Sequence, residues 1–87
     1  MAYELSPDIV STQLDDNEAV LLNLKTRKYY TINETGSVIW NGLKEGKSTD
    51  EIADALTAEF EIEKDDAMVH VDEFIGKLVS DGIVTEV

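Results

Sequence analysis

His70 is the single histidine of an 87-residue chain that contains no cysteine. A metal centre of imidazole and thiolate ligands needs several such side chains close together, and a catalytic triad needs a nucleophile within reach of a positioned base. One imidazole without a thiol builds neither, so His70 reads as a solvated side chain on the polar margin of a helix. Carboxylates are paired at Asp15-Asp16 and Asp65-Asp66, an arrangement that acid–base or cation chemistry can use. Each pair has a simpler structural role. The first lies in the turn sequence Asp15-Asp16-Asn17, and the second lies where a helix opens and negative side chains favour its positive end. The five glycines, at positions 36, 42, 46, 76 and 82, are too scattered for a phosphate-cradling loop. No metal, no cofactor and no catalysis are expected, and main-chain hydrogen bonding is the chemistry that remains. A strand at the edge of a sheet presents unpaired N–H and C=O groups and can accept an extended peptide as one more strand.

The apolar spacing supplies such a sheet. Ile9 to Leu14 predicts a first strand, and Glu18 to Leu24 a second in which Val20, Leu22 and Leu24 share one face at period two. Beyond the cationic connection Lys25-Thr-Arg-Lys28, the β-branched and aromatic residues Tyr29 to Ile32 predict a third. Short connections make this an antiparallel meander. With Ile32 toward the core, alternation brings Tyr30 inward and leaves Tyr29 and Thr31 on the other face.

Three helices follow. Asn33 is suited to cap the first, whose apolar side is Val38, Ile39, Trp40 and Leu43 and whose stop is Gly46. Ser48-Thr-Asp-Glu51 matches a capping box in front of the stripe Ile52, Leu56 and Phe60. The third helix should open near Asp65-Asp66 and close near Asp81-Gly82, with Ala67, Met68, Val71, Phe74, Ile75, Leu78 and Val79 as a broad apolar arc. Beside that arc runs a stripe of Asp65, Val69, Asp72 and Gly76, which can serve as a wall opposite the third strand. Residues 82–87 are expected to form a short final strand or a docked tail. The class is α+β: a three-stranded antiparallel sheet followed by three helices, packed as one domain over residues 1–87.

Composition narrows the partners. The chain carries 19 acidic and 7 basic residues, a formal net charge of −12. Nucleic-acid affinity comes largely from Lys and Arg neutralising phosphates, so no nucleic-acid partner is expected. Lys64 and Lys77 are the only Lys or Arg residues between Ser48 and Val87. No apolar run approaches the roughly 20 residues of a membrane span, and Met1 to Pro7 lacks the basic and apolar regions of a signal peptide. A soluble protein of the cytoplasm, without a membrane partner, is the expectation.

The run Tyr29-Tyr-Thr-Ile-Asn-Glu-Thr-Gly36, with Leu21-Leu-Asn-Leu24 before it and Ile39-Trp40 and Leu43 after it, resembles the PqqD-like family. Ser48-Thr-Asp-Glu-Ile52, Leu56, Phe60, Phe74, Leu78 and Gly82-Ile-Val84 continue the pattern across nearly the whole chain. Members of that family recognise precursor peptides in pathways that make ribosomally synthesised, post-translationally modified peptides. The resemblance implies a winged helix-turn-helix-like domain that takes a precursor's leader peptide as an added strand in a groove beside the third helix. Carried over, the contacts would be Lys28, Tyr29, Tyr30, Thr31 and Ile32 on the strand, and Val69, Asp72, Glu73 and Gly76 on the helix. It also implies a modifying enzyme as second partner, such as a leader peptidase or a radical S-adenosylmethionine enzyme. The Asn33 to Trp40 stretch resembles the lasso-peptide and generic types of the family more than the quinone-pathway chaperone. Two other readings remain open at this level: a winged-helix DNA-binding regulator and an acidic protein-interaction scaffold.

Overall fold

Local capping chemistry sets where the helices begin and end. In the computed structural model, which describes residues 3–15 and 18–86, the elements run β1 (Tyr3–Leu5), β2 (Ile9–Gln13), β3 (Ala19–Asn23), β4 (Lys28–Ile32), α1 (Glu34–Lys44), α2 (Thr49–Phe60), α3 (Lys64–Ser80) and β5 (Val84–Glu86). Asp16 and Asn17 of the expected turn lie outside the described residues. Asn33 caps α1 by accepting the Gly36 N–H at 2.9 Å. Ser48 and Glu51 form the reciprocal capping box of α2, at 3.1 and 3.2 Å. At the far ends of α1 and α3, Gly46 (φ 77°) and Gly82 (φ 75°) take the left-handed conformation. Lys47 N–H then reaches back to Gly42 O, and Ile83 N–H to Leu78 O, the paired stop that glycine permits without a Cβ penalty.

Strands β2, β3 and β4 make an antiparallel sheet in that order, and three helices follow, as the sequence implies. The architecture is α+β and winged-helix-like. Leu21, Ile39, Ile52, Leu56, Val71 and Ile83 are buried to 1% exposure or less in one core shared by sheet and helices. Truncating any of them to Ala should cost about 2–5 kcal/mol.

Two features go beyond the sequence expectation. Val20, Leu22 and Leu24 share a face, as expected, and it is the outward one; Ala19, Leu21 and Asn23 are buried. Register decides this, because Ala19 pairs with Ile32 and Leu21 with Tyr30, so the inward residues of β4 carry theirs with them. The second feature is β1, which pairs antiparallel with β5 from Tyr3↔Glu86 to Leu5↔Val84. Residues 84–86 are thus a paired strand, and the two-stranded ribbon lies against α3.

Between α2 and α3, the Lys64 ammonium donates to Asp54 at 2.6 Å and stands 3.6 Å from Asp50. The hydrogen bond to Asp54, chiefly, holds its pKa above the ordinary lysine value. The pair is solvent-exposed and adds little to stability. The Ser48 backbone and hydroxyl hydrogen bonds hold the Glu51 carboxyl below its usual range. A depressed carboxyl stabilises the fold above its unfolded pKa, and that contribution disappears as pH falls through the folded value. Glu51→Gln should therefore flatten the acid limb of a stability–pH profile.

Glycine positions give a sharper test of the packing. A Cβ on Gly42 would stand 2.6 Å from Ile52 Cγ1, whereas one on Gly76 would meet nothing within 4 Å. Gly42→Ala should destabilise by about 1–3 kcal/mol through overpacking. Gly76→Ala should stabilise by roughly 0.5–1 kcal/mol, because it relieves the entropy cost of glycine in a helix. Urea midpoints that moved in the same direction for both variants would contradict this packing.

Candidate functional site

Strand β4 is an edge: β3 flanks one side, and no described strand pairs with the other. Which main-chain groups face the open side follows from the ladder. Leu24 N–H donates to Asp8 O at 2.9 Å and Leu14 N–H to Glu18 O at 3.0 Å, one step beyond each end of the β2–β3 pairing. Residues along an antiparallel strand bond alternately to one neighbour and the other. Val20 and Leu22 therefore bond to β2, and Ala19, Leu21 and Asn23 bond to β4. The β4 partners of those three are Ile32, Tyr30 and Lys28. Tyr29 and Thr31 thus direct both N–H and C=O away from the sheet.

Beside this edge lies a groove between β4 and α3. One stretch, about 370 Å³, is lined by Glu18, Tyr30, Thr31, Ile32, Asn33, Phe74, Lys77, Leu78 and Asp81. A second hollow, about 300 Å³, lies beside it between α1 and α3; it shares Asn33, Phe74 and Lys77 with the first and is otherwise lined by Thr35, Gly36, Ile39, His70 and Glu73. The shared lining sets the two side by side along α3. Around them stand three carboxylates (Glu18, Glu73 and Asp81), with Lys77 and His70. Gly36 sets how closely α1 approaches α3 and β4, since a Cβ there would stand 2.9 Å from Phe74 Cε2 and 3.3 Å from Ile32 Cβ.

Lys28, Tyr29, Tyr30, Thr31 and Ile32 make up β4, so the strand half of the expected contact set is together. Tyr30 is half-buried toward the groove, and Tyr29 is 71% exposed on the opposite face. The helix half divides. Glu73 lines the adjoining hollow between α1 and α3, whereas Val69, Asp72 and Gly76 line neither. At 100° per residue, Asp72 and Gly76 fall about 160° around the helix from Phe74, and Val69 about 140°. Asp72 and Gly76 instead line a separate depression with Tyr3 and Glu86 of the two-stranded ribbon. Val69 is 54% exposed.

The apolar arc of α3 has two margins: Asp72 and Gly76 lie on the one toward β1, and the groove beside β4 follows the other. The groove margin comprises His70, Phe74, Lys77 and Asp81, spaced −4, +3 and +7 about Phe74. A large aromatic at the border of the arc, flanked by polar residues at helical spacing, was the signal available for it.

Residues 18–84 match the family model described as coenzyme PQQ synthesis protein D (PqqD). The fold is also similar to two solved structures. One is TbiB1 in complex with the TbiA(beta) leader peptide, 33% identical over 97% of this chain and 96% of that one, with a TM-score of 0.88. The other is a lasso peptide synthetase B1 complexed with the leader peptide, 29% identical over 99% and 100% of the two chains, with a TM-score of 0.89. No curated protein sequence matches. The matched segment runs through β3, β4 and all three helices to Val84, and the chain belongs to the PqqD family.

Proposed function

We propose that this chain binds the leader segment of a ribosomally made precursor as a fourth strand on β4, and presents it to a separate processing enzyme without catalysing a reaction itself. The observation that carries this reading is the open main chain of Tyr29 and Thr31 beside an apolar groove. Main-chain bonds supply affinity, and alternate leader side chains drop into the trough and supply selectivity. Both solved relatives are complexes with leader peptides, which supports the same occupant here and favours a lasso-peptide pathway as its setting. The enzyme would then be a leader peptidase or another precursor-modifying enzyme, and the site of action the cytoplasm, where the precursor is made. Among the described residues no helix is long and apolar enough to cross a membrane, and no cluster of His, Asp or Glu is grouped to hold a metal ion. The winged-helix shape also serves DNA binding, but Lys64 and Lys77 are the only cations of α2 and α3, and Lys64 is paired with Asp54. Little counterion release is available, so duplex DNA should bind negligibly at physiological salt.

Proline substitution tests strand addition through its polarity. Thr31→Pro removes an N–H that faces the open edge, so leader affinity should fall by roughly tenfold, the value of about one hydrogen bond, with the β3–β4 ladder kept. Tyr30→Pro removes a ladder bond and should lower stability by about 1–3 kcal/mol. The probe is the leader segment of the cognate precursor as a synthetic peptide, titrated by fluorescence anisotropy. Undiminished leader affinity in Thr31→Pro would contradict strand addition at β4.

Charge around the groove predicts kinetics. A leader with Lys or Arg should associate more slowly as salt rises, with dissociation changed less, because steering acts on encounter. Glu73→Gln should slow association, whereas Asp72→Asn and Gly76→Ala, on the other side of α3, should leave it as in the wild type. Stopped-flow rates in which Asp72→Asn is the damaging change would move the site to that side.

A further inference from the structure

We infer that the outward face of the β2–β3–β4 sheet is the docking surface for the processing enzyme, and that the enzyme engages this face together with the bound leader. The inference rests on the leader-binding reading above and adds to it the surface by which the complex is recognised.

Seven large hydrophobic side chains are exposed among the described residues; three of them (Val10, Leu22 and Tyr29) stand on the outward face of this one sheet, and two more (Leu14 and Leu24) lie one residue beyond the ends of β2 and β3. The face continues with Thr12, Val20 and Thr31, so its strand positions carry no charge in a chain that is 30% charged. Antiparallel sheets that turn one face to water usually make that face polar. A concentrated exposed apolar patch instead marks an interaction site.

Register gives the patch a direction. Val10 pairs with Leu22 and Leu22 with Tyr29, so an apolar row crosses all three strands and ends at the open edge. A leader added to β4 extends that row, because every second residue of an added strand points to the outward face. Anything seated on the row therefore touches this chain and its leader at once. That geometry suits an enzyme that must act on loaded domains and pass over empty ones.

Charge also selects the occupant. The β3–β4 turn at one end of the face holds Lys25 and Arg27, two of the seven basic residues of the chain. The complementary partner presents an apolar patch beside a group of carboxylates. A second copy of this chain fits less well, since two molecules at −12 each repel one another.

The test replaces the opposed pair Val10 and Leu22 by Val10→Glu with Leu22→Lys, a cross-strand pair of opposite charge that a sheet tolerates. Neither residue lines the groove or the open edge. The probes are the cognate leader as a synthetic peptide and the cognate processing enzyme, with full precursor turnover followed by mass spectrometry. The double variant should bind leader within about twofold of wild type while turnover falls by tenfold or more, as expected when the centre of an interface is lost. The enzyme should also bind the leader-loaded wild-type chain at least about tenfold tighter than the empty chain, a difference of about 1.4 kcal/mol. If the double variant loses leader binding by misfolding, Leu24→Ser, outside the strands, carries the same expectation. Wild-type turnover in a variant that keeps leader binding would overturn the docking surface, as would equal enzyme affinity for loaded and empty chains. A wild-type dimer in sedimentation that the variant dissociates would assign the face to a second copy. Failure of the wild-type chain to bind leader would instead strike the underlying function.

Discussion

A single residue, Asn33, separates the last residue of β4 from the first residue of α1. It keeps extended backbone (φ −83°, ψ −174°) while its side chain accepts the Gly36 N–H, which starts the helix without a linker. A chain that turns from strand to helix this abruptly must seat the helix end against the strand end. Gly36 eases that contact, because a Cβ at this position would stand 2.9 Å from Phe74 Cε2 and 3.3 Å from Ile32 Cβ. The junction places Phe74 beside β4, with a trough between them. It also turns the chain away from the sheet at Ile32, so no following strand covers the edge that Tyr29 and Thr31 present.

The part of the fold written in local chemistry was legible in the sequence. Asn33 and the Ser48–Glu51 box mark helix starts, Gly46 and Gly82 mark helix stops, and the Tyr29 to Ile32 run marks the edge strand. Contacts between distant parts of the chain were not legible. Tyr3 to Leu5 is too short to show a period, and its partner strand lies at the opposite end of the sequence. That ribbon occupies the Asp72 side of α3, so the expected helix contacts divide: Asp72 and Gly76 face the ribbon, and Glu73 lines the hollow between α1 and α3. The orientation of β3 was hidden for a different reason. Ala19 and Leu21 on one face and Val20, Leu22 and Leu24 on the other are all apolar, so alternation cannot separate core from surface; cross-strand register with Tyr30 and Ile32 does.

Alternation along one short strand divides β4 into three surfaces. Tyr30 and Ile32 turn their side chains inward, where they form part of the groove floor and the core. Tyr29 and Thr31 turn theirs to the outward face, and their main-chain groups to the open edge. An extended peptide bound there acquires the same division: one set of side chains in the trough, the other beside Tyr29, and the backbone held between. A small domain can in this way fix a flexible segment while keeping half of that segment's side chains accessible.

Residue-resolved amide hydrogen exchange, measured by NMR on the chain with and without saturating leader, tests the central claim most directly. In the free chain the amides of Tyr30 and Ile32 should already exchange slowly, because they bond to β3, while those of Tyr29 and Thr31 exchange fast. Leader should slow Tyr29 and Thr31 by about a hundredfold or more, since exchange from a bonded amide requires opening of the added strand. Fast exchange at both residues with leader demonstrably bound would contradict the account, because the peptide would then be held by something other than the edge of β4.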